Sequence, residues 1–585
     1  MPLLRFAALT VLLISAAAAR SALESVRTEA PTAPRLLSAA EVAAGDTRGP
    51  NIPSTYYAAP AERRAAGSVT EFNVAVVLVD FPDLPADRVQ HPPAYYERLV
   101  FSRVDDGFTS VAEFFDRSSG GRFHLGGVVR GWYRVSGKRN DYTARQSGIG
   151  YYPGNSQRLA EEAFWLADPF INYSLLDNEG PDAIPDSGDD DEIIDGLLVV
   201  HAGRGSEGGG VTPDEFFSIY WFLPQPMPLD GVFGRPFTLN PETGNIGVFI
   251  HEMGHLLGLP DLYDTGGESF GTGRWSMMSG GVNLDEGRTP ADFDAWSKTQ
   301  LGFVNVIYVQ ENLKDVVIPP SVESGVVYRL WRQGGGTNEY FLLENRHVSG
   351  LDAALPGEGL LIYHIDDFVK NNSIDVHYKV AVEQADGLYQ LENRFNDASP
   401  GDPGDPYRPG NVFGRYTNPS SMDYEGADSF VHVYNIRGPD ASGTMIADLS
   451  VLPGPLVELV DFTMTEIEGN GDGLVAAGEL AGLRPRIFVD RMPARGLVLH
   501  ADPVDSMGTL LDHEVVFGDV MPGTSVSPSD PIRIRLSPDI PSDPYGLTLT
   551  FSLEWADAPG RRIPVALGIG TVVGRSDDFE QLTHG

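Results

Sequence analysis

The sequence predicts an α+β protein in which β-structure outweighs helix. Three observations carry that expectation. The 585-residue chain holds 66 glycines and 44 prolines, the residues that punctuate turns. Its apolar segments are mostly short Val/Ile/Leu/Tyr runs between such turns, the pattern of strands rather than long helices. Stretches with helical apolar spacing are few and lie in the first half. A chain this long exceeds what one core accommodates, so several domains are expected.

The elements follow in order. "MPLLRFAALTVLLISAAAARSA" places Arg5 before a mostly apolar run and ends in small residues. Residues 1–22 therefore read as a secretory signal peptide, and the protein is expected to be secreted. No later stretch approaches about 18 uninterrupted apolar residues, so no membrane span is expected in the mature chain. Residues 23–70, rich in Ala, Pro, Arg and Ser, read as a propeptide or linker. Residues 71–303 form a mixed unit. "EFNVAVVLVDFPD" predicts a buried strand, and "TSVAEFFDRSSGGRF" a helix with a Thr or Ser cap and a Gly-Gly stop. "HLGGVVRGWYRV" reads as strands and "SQRLAEEAFWLAD" as an amphipathic helix. Residues 304–453 shift to strand patterns ("VVYRLWR", "EYFLLENRHV", "GLLIYHID", "YKVAVEQADG") and form a β-rich unit packed on the first. Regularly spaced strand-length runs over 454–573 predict a C-terminal Ig-like β-sandwich. Residues 574–585 are a polar tail.

Charge and composition exclude whole classes of function. The formal net charge is −39, and a chain without a basic surplus has nothing to displace counterions from phosphates, which disfavours nucleic acid as a partner. There is no cysteine. That removes disulfides, thiolate metal ligands and a thiol nucleophile together, so packing and bound ions must stabilise the fold.

The sharpest chemical signal is "VFIHEMGHLLGLPDLYD", residues 248–264. Histidines four apart on a helix share a face, so His251 and His255 can present both imidazoles to one ion. Zn²⁺ suits neutral imidazole, and a catalytic site needs three protein ligands plus an open position for water. Glu252 projects beside the first histidine, placed as general base. Gly258 permits a sharp turn that can return Asp261 as the third ligand; Asp264 and Glu268 are the alternatives. The sequence does not identify the residue that stabilises the oxyanion; Tyr263 is close by in the chain. Downstream, "GRWSMMSGG" sets Met278 in a glycine-flanked turn, as an apolar floor beneath the metal. An extended zinc motif followed by such a turn is the metzincin signature.

"HEMGHLLGLPDLYD", "RWSMMSGG" and "TPADFDAWSKTQLGF" together resemble the immune inhibitor A family of secreted bacterial metallopeptidases. "VVLVDFPD", "IIDGLLVVHAGRGSE" and "EYFLLENRHVSGLDAALPGEGLLIYHID" resemble it too, so the similarity runs from about Asn73 to Ser450. The resemblance implies a metzincin-like zinc peptidase domain over 71–303, secretion, structural calcium, and endopeptidase activity on proteins or peptides. Residues 23–70 are short for an inhibitory propeptide. The competing expectation is a calcium-dependent extracellular binding or adhesion protein with a vestigial peptidase domain. The intact His251, Glu252 and His255 stand against it.

Two acidic loops suit Ca²⁺, a hard cation that takes oxygen ligands. In "LLDNEGPDAIPDSGDDDEIIDG" the candidates are Asp177, Asn178, Asp182, Asp186, Asp189, Asp191 and Asp195. In "EGNGDGLVAAGE" they are Asn470, Asp472 and Glu479, where a plain turn fits equally well. "GDPGDPY", residues 401–407, is a weaker calcium candidate and reads as a loop. His201 and His364, each at a strand end, read as structural, with His201 kept as a neighbour of the cleft. If the acidic loops hold calcium, excess chelator lowers the thermal midpoint in a scan with and without added Ca²⁺. An unchanged midpoint removes that expectation.

Overall fold

The computed structural model describes residues 70–575, apart from 104–108, 179–190, 207–211, 375, 396–397, 504–506, 540–546, 556–557 and 568–572. The expected signal peptide at 1–22, all but the last residue of the 23–70 linker, and the tail beyond residue 575 lie outside the described residues. So do Asp182, Asp186 and Asp189 of the acidic loop.

Between Val74 and Phe81 every side chain is buried. Burial on both faces demands an interior strand of a covered, mostly parallel sheet, and β1 (Thr70–Asp80) occupies that place. Its partners are β2 (Phe123–Arg134), β3 (Leu197–His201), β4 (Ile219–Leu229) and β5 (Val232–Pro241). The sheet order is β2-β1-β3-β5-β4. β1 pairs in parallel with β2 and β3, and β3 in parallel with β5, while β4 closes the edge antiparallel. Helices α1 (Pro93–Phe101) and α2 (Val111–Ser118) pack on β2, and α3 (Ser156–Ala167) lies across β1, β2 and β4. Ser110 is the cap of α2: its Oγ accepts from the Glu113 N–H at 3.0 Å. The chain leaves through Gly120 and Gly121, both at positive φ.

The lead from β5 into α4 (Ile246–Leu256) sets the position of the histidine-bearing helix. Glu242, buried in that connection, accepts from the Asp87 N–H (2.7 Å) and the Gly203 N–H (2.8 Å). Two loops leaving β1 and β3 are thereby tied to the start of α4.

After α5 (Ala295–Gln300) the chain builds a second five-stranded sheet. It contains β6 (Asn305–Tyr308), β8 (Val326–Leu330), β9 (Glu339–Arg346), β10 (Gly359–Asp366) and β11 (Val380–Val382), ordered β11-β10-β9-β8-β6. β7 (Leu313–Ile318), β12 (His432–Arg437) and β13 (Met445–Ser450) form a three-stranded sheet. One continuous core runs from Phe72 to Val451 across these units. Beyond Leu456 two antiparallel sheets, of six and four strands, share a second core from Val457 to Leu553. The class is mixed α+β with sheet predominant. Among the described residues no helix is long and apolar enough to cross a membrane.

His201, at the end of β3, is fully buried against Phe216 (ring centroids 4.8 Å apart), with Nδ1 donating to the Ala202 carbonyl. It belongs to the core, not to an open cleft. Burial brings its pKa down to about 4 from an ordinary 6.5. The unfolded chain therefore takes up a proton below about pH 6.5 that the fold refuses until about pH 4, and stability falls as pH drops through that window. Replacing His201 with Leu removes this share of acid sensitivity, on the order of 3 kcal/mol at most. Urea titrations at pH 7 and pH 4.5 measure it, and equal pH dependence in the two proteins would rule the effect out.

Candidate metal centre

Helix α4 carries "IGVFIHEMGHL", with Phe249, Ile250 and Met253 turned into the core. That anchoring sends His251 and His255 to the same side. Each ring is fixed from behind: His251 Nδ1 donates to the Met277 carbonyl at 3.0 Å, and His255 Nδ1 donates to the Leu259 carbonyl at 2.8 Å. A carbonyl cannot donate, so Nδ1 holds the hydrogen on both rings. In its neutral form each imidazole then presents a bare Nε2 lone pair forward.

Both Nε2 atoms face one carboxylate oxygen. Asp261 Oδ1 lies 3.3 Å from His251 Nε2 and 3.2 Å from His255 Nε2. The turn that brings it there uses Gly258 at φ 94°, with the Gly258 N–H donating to the His255 carbonyl. One donor atom from each of the three residues falls within 4.8 Å of the others, the spacing of a single ion's ligands. Burial favours neutral groups, yet Asp261 alone attracts the protonated form of the rings: the Asp261 carboxyl is held far below the carboxylate range and His255 is raised, whereas two neutral rings facing that carboxylate call for a cation between them. Two anchored lone pairs and a carboxylate facing one point are the donor set of a divalent cation.

Of the three carboxylates considered from sequence, Asp261 is the one that meets the imidazoles. Asp264 instead folds its own loop, accepting from the N–H groups of Gly266 (2.6 Å), Glu268 (2.7 Å) and Ser269 (3.1 Å). Glu268 is exposed. Glu252 is 4% exposed, one residue after His251 on α4. The Tyr263 ring lies over His251, with centroids 6.5 Å apart and planes 23° from parallel. Burial and the charges of Asp261 and Glu252 push its hydroxyl pKa up. Met278 is fully buried beneath the helix, and its carbonyl accepts from the Leu262 N–H at 2.8 Å. A Cβ on Gly254 would stand 2.5 Å from the Met278 sulfur, so only glycine lets helix and turn meet this closely.

The acidic loops fare differently. Asn178 is a clamp on β1, accepting from the Asn73 N–H (3.2 Å) and donating to the Glu71 carbonyl (2.7 Å). Asp177 is buried nearby, Asp191 accepts from the Ile193 N–H at 3.0 Å, and the Asp195 N–H donates to the Leu176 carbonyl. Glu479 accepts from the N–H groups of Asn470 (3.0 Å) and Ala476 (2.9 Å), and Asp472 from Leu474 (2.8 Å). Glu466, not singled out from sequence, takes those of Gly471 (2.7 Å) and Gly473 (3.0 Å). The loop at 401–407 has more in it than the sequence suggested: Asp402 and Asp405 meet Asp386, with carboxylate oxygens within 4.8 Å. Burial, helped by the neighbouring charges and opposed by the Trp275 indole, pushes the Asp405 carboxyl up to about 7. His364 is buried between Glu339 (3.0 Å) and Glu383 (3.2 Å).

Comparison with known proteins bears on the first of these groups. Residues 61–304 match the model of the immune inhibitor A peptidase M6 catalytic domain. The chain is 30% identical over 281 aligned positions to immune inhibitor A of Bacillus thuringiensis subsp. alesti, covering 41% of each chain. It is 32% identical over 270 positions to the pre-pro-metalloprotease PrtV of Vibrio cholerae serotype O1 (strain M66-2), covering 38% of this chain and 29% of that one. The match thus spans less than half the length of these curated relatives. Residues 61–304, which match the family model, contain the whole of α4, the Asp261 turn and Met278. These residues are thus an immune inhibitor A-like segment, similar to the peptidase M6 catalytic domain and to the metalloprotease relatives that share it.

Proposed function

We propose that this protein is a secreted zinc-dependent endopeptidase that hydrolyses peptide bonds in proteins. The observation that carries the proposal is the pair of Nδ1-anchored imidazoles aimed, with Asp261, at a single point. His251, His255 and Asp261 are the proposed ligands. When bound, the zinc ion supplies Lewis acidity and lowers the pKa of a coordinated water.

The rest of the chemistry falls to the chain's own groups. The Met277 and Leu259 carbonyls keep both rings in the ligating tautomer throughout a cycle. Glu252 accepts a proton from the attacking water and returns one to the leaving amine. Its burial keeps that carboxylate out of bulk solvent, where it acts more strongly on the reacting atoms. Tyr263, its ring against His251, is the candidate donor to the developing oxyanion. Secretion rests on the N-terminal signal pattern, and calcium as a second ion on the acidic loops. Residues 71–303 are proposed as the metzincin-like catalytic domain, 304–453 as a β-rich domain packed on it, and 454–573 as an Ig-like sandwich.

Replacing Glu252 with Ala tests the division of labour. The variant is expected to retain zinc at wild-type stoichiometry by metal analysis, while casein cleavage falls on the order of 10³-fold or more. Cleavage retained by that variant would overturn the general-base role. A wild-type protein that neither takes up zinc nor cleaves casein would overturn the function itself.

A further inference from the structure

Five charged side chains are sealed together behind the metal centre, each at most 1% exposed: Asp292, Lys298, Glu344, Arg346 and Asp352. Lys298 Nζ donates to Asp292 (3.2 Å), Glu344 (2.7 Å) and Ser321 Oγ (2.9 Å). Burial would raise the Glu344 carboxyl, yet Lys298 and Arg346 bring it down to about 2.

Arg346 spends all five guanidinium hydrogens. Nε and Nη2 fork onto Asp352 (2.6 and 2.5 Å), and Nη1 donates to Glu344 at 3.2 Å. The other two go to backbone carbonyls: Nη1 to Trp275 at 3.1 Å and Nη2 to Asp292 at 3.4 Å. Those carbonyls bracket the strip that aims a proposed ligand. The Asp292 carbonyl also accepts from the Met277 N–H at 3.3 Å, and the Met277 carbonyl holds His251 Nδ1 at 3.0 Å. Asp352 returns to the same strip, accepting from the Asp292 N–H at 3.0 Å. Glu344, Arg346 and Asp352 all lie beyond residue 304, where the family match ends.

We propose that Arg346 is a positioning residue for the metal centre, acting through the backbone of residues 275–277 and 292 on the His251 ring, so that the working unit extends past the matched domain into β9. A cation serving only to balance charge would be replaceable by lysine. A planar fork satisfying five acceptors is not, because an ammonium offers three hydrogens and no plane.

The inference rests on the metal-centre reading, and the experiment separates the two. Full-length apoprotein is titrated with Zn²⁺ against a competing chelator, and the Co²⁺-loaded form is examined for its visible ligand-field spectrum. Arg346→Lys is expected to fold, to bind Zn²⁺ about tenfold or more weakly, and to shift the Co²⁺ spectrum. Its kcat falls with little change in KM. Asp352→Asn, which breaks the fork from the other side, is expected to do the same and decides the matter if Arg346→Lys does not fold. The control is Asp428→Asn, which breaks ion pairs to Arg415 (2.9 Å) and Arg491 (2.7 Å) outside this cluster; its zinc affinity stays within about twofold of wild type. Wild-type zinc affinity in the Arg346 and Asp352 variants, or equal weakening in the control, overturns the positioning role. A wild type that takes up no Zn²⁺ overturns the metal reading beneath it.

Discussion

Two backbone carbonyls, those of Met277 and Leu259, decide which nitrogen of each histidine faces the site. An imidazole free to rotate would share its proton between Nδ1 and Nε2 and present a lone pair only part of the time. Held from behind, it presents Nε2 continuously, and the proposed ligand set is in place before any ion arrives. The Leu259 carbonyl is local, supplied by the turn that ends α4. The Met277 carbonyl is not: it comes from a strip of chain whose place is fixed by Ser276, the Asp292 backbone and the strand β9. The centre is therefore as rigid as the packing of two sheets that are distant in sequence.

That packing carries charge into the core, which costs free energy unless every charge is paired and hydrogen-bonded. The cluster around Arg346 meets the condition, with both cations reaching carboxylates at 3.2 Å or less. An apolar core of the same volume could be at least as stable. What the charged version adds is direction. Guanidinium and carboxylate groups fix backbone carbonyls and N–H groups in one arrangement, where aliphatic side chains would tolerate several.

The histidine-bearing helix was legible in the sequence because its geometry is local. Spacing four apart becomes one helix face, and Gly258 with Asp261 becomes a return turn, without any long-range contact. β1 was legible for a similar reason, since an unbroken Val/Leu run fits only an interior strand. Ser110 capping α2 was readable as "TS" before an apolar period. Long-range pairing left a fainter trace. "EYFLLENR" is buried along its length apart from Glu339, so Glu344 and Arg346 inside it had to be paired, but the strand's period does not name the partners. Asp386 joins Asp402 and Asp405 only through the approach of separate loops. Carboxylate-rich stretches are ambiguous in the other direction. Asn178 gives its oxygen to the N–H of Asn73, far back in the chain, while Asp264, conspicuous as an oxygen donor, spends its oxygens on the N–H groups of Gly266 and Glu268 just after it. Short polar side chains compete for local backbone in just this way, and sequence alone does not separate that use from ion binding.

The close seating of Gly254 on Met278 has one more consequence. A thioether packed this tightly has no space for an added oxygen, so sulfoxide formation there would pry the helix from its floor and pull the imidazoles out of register. Peroxide reaches that sulfur only when the packing opens. With no cysteine in the chain to be consumed first, the centre's endurance in an oxidising medium is set by how seldom the helix lifts.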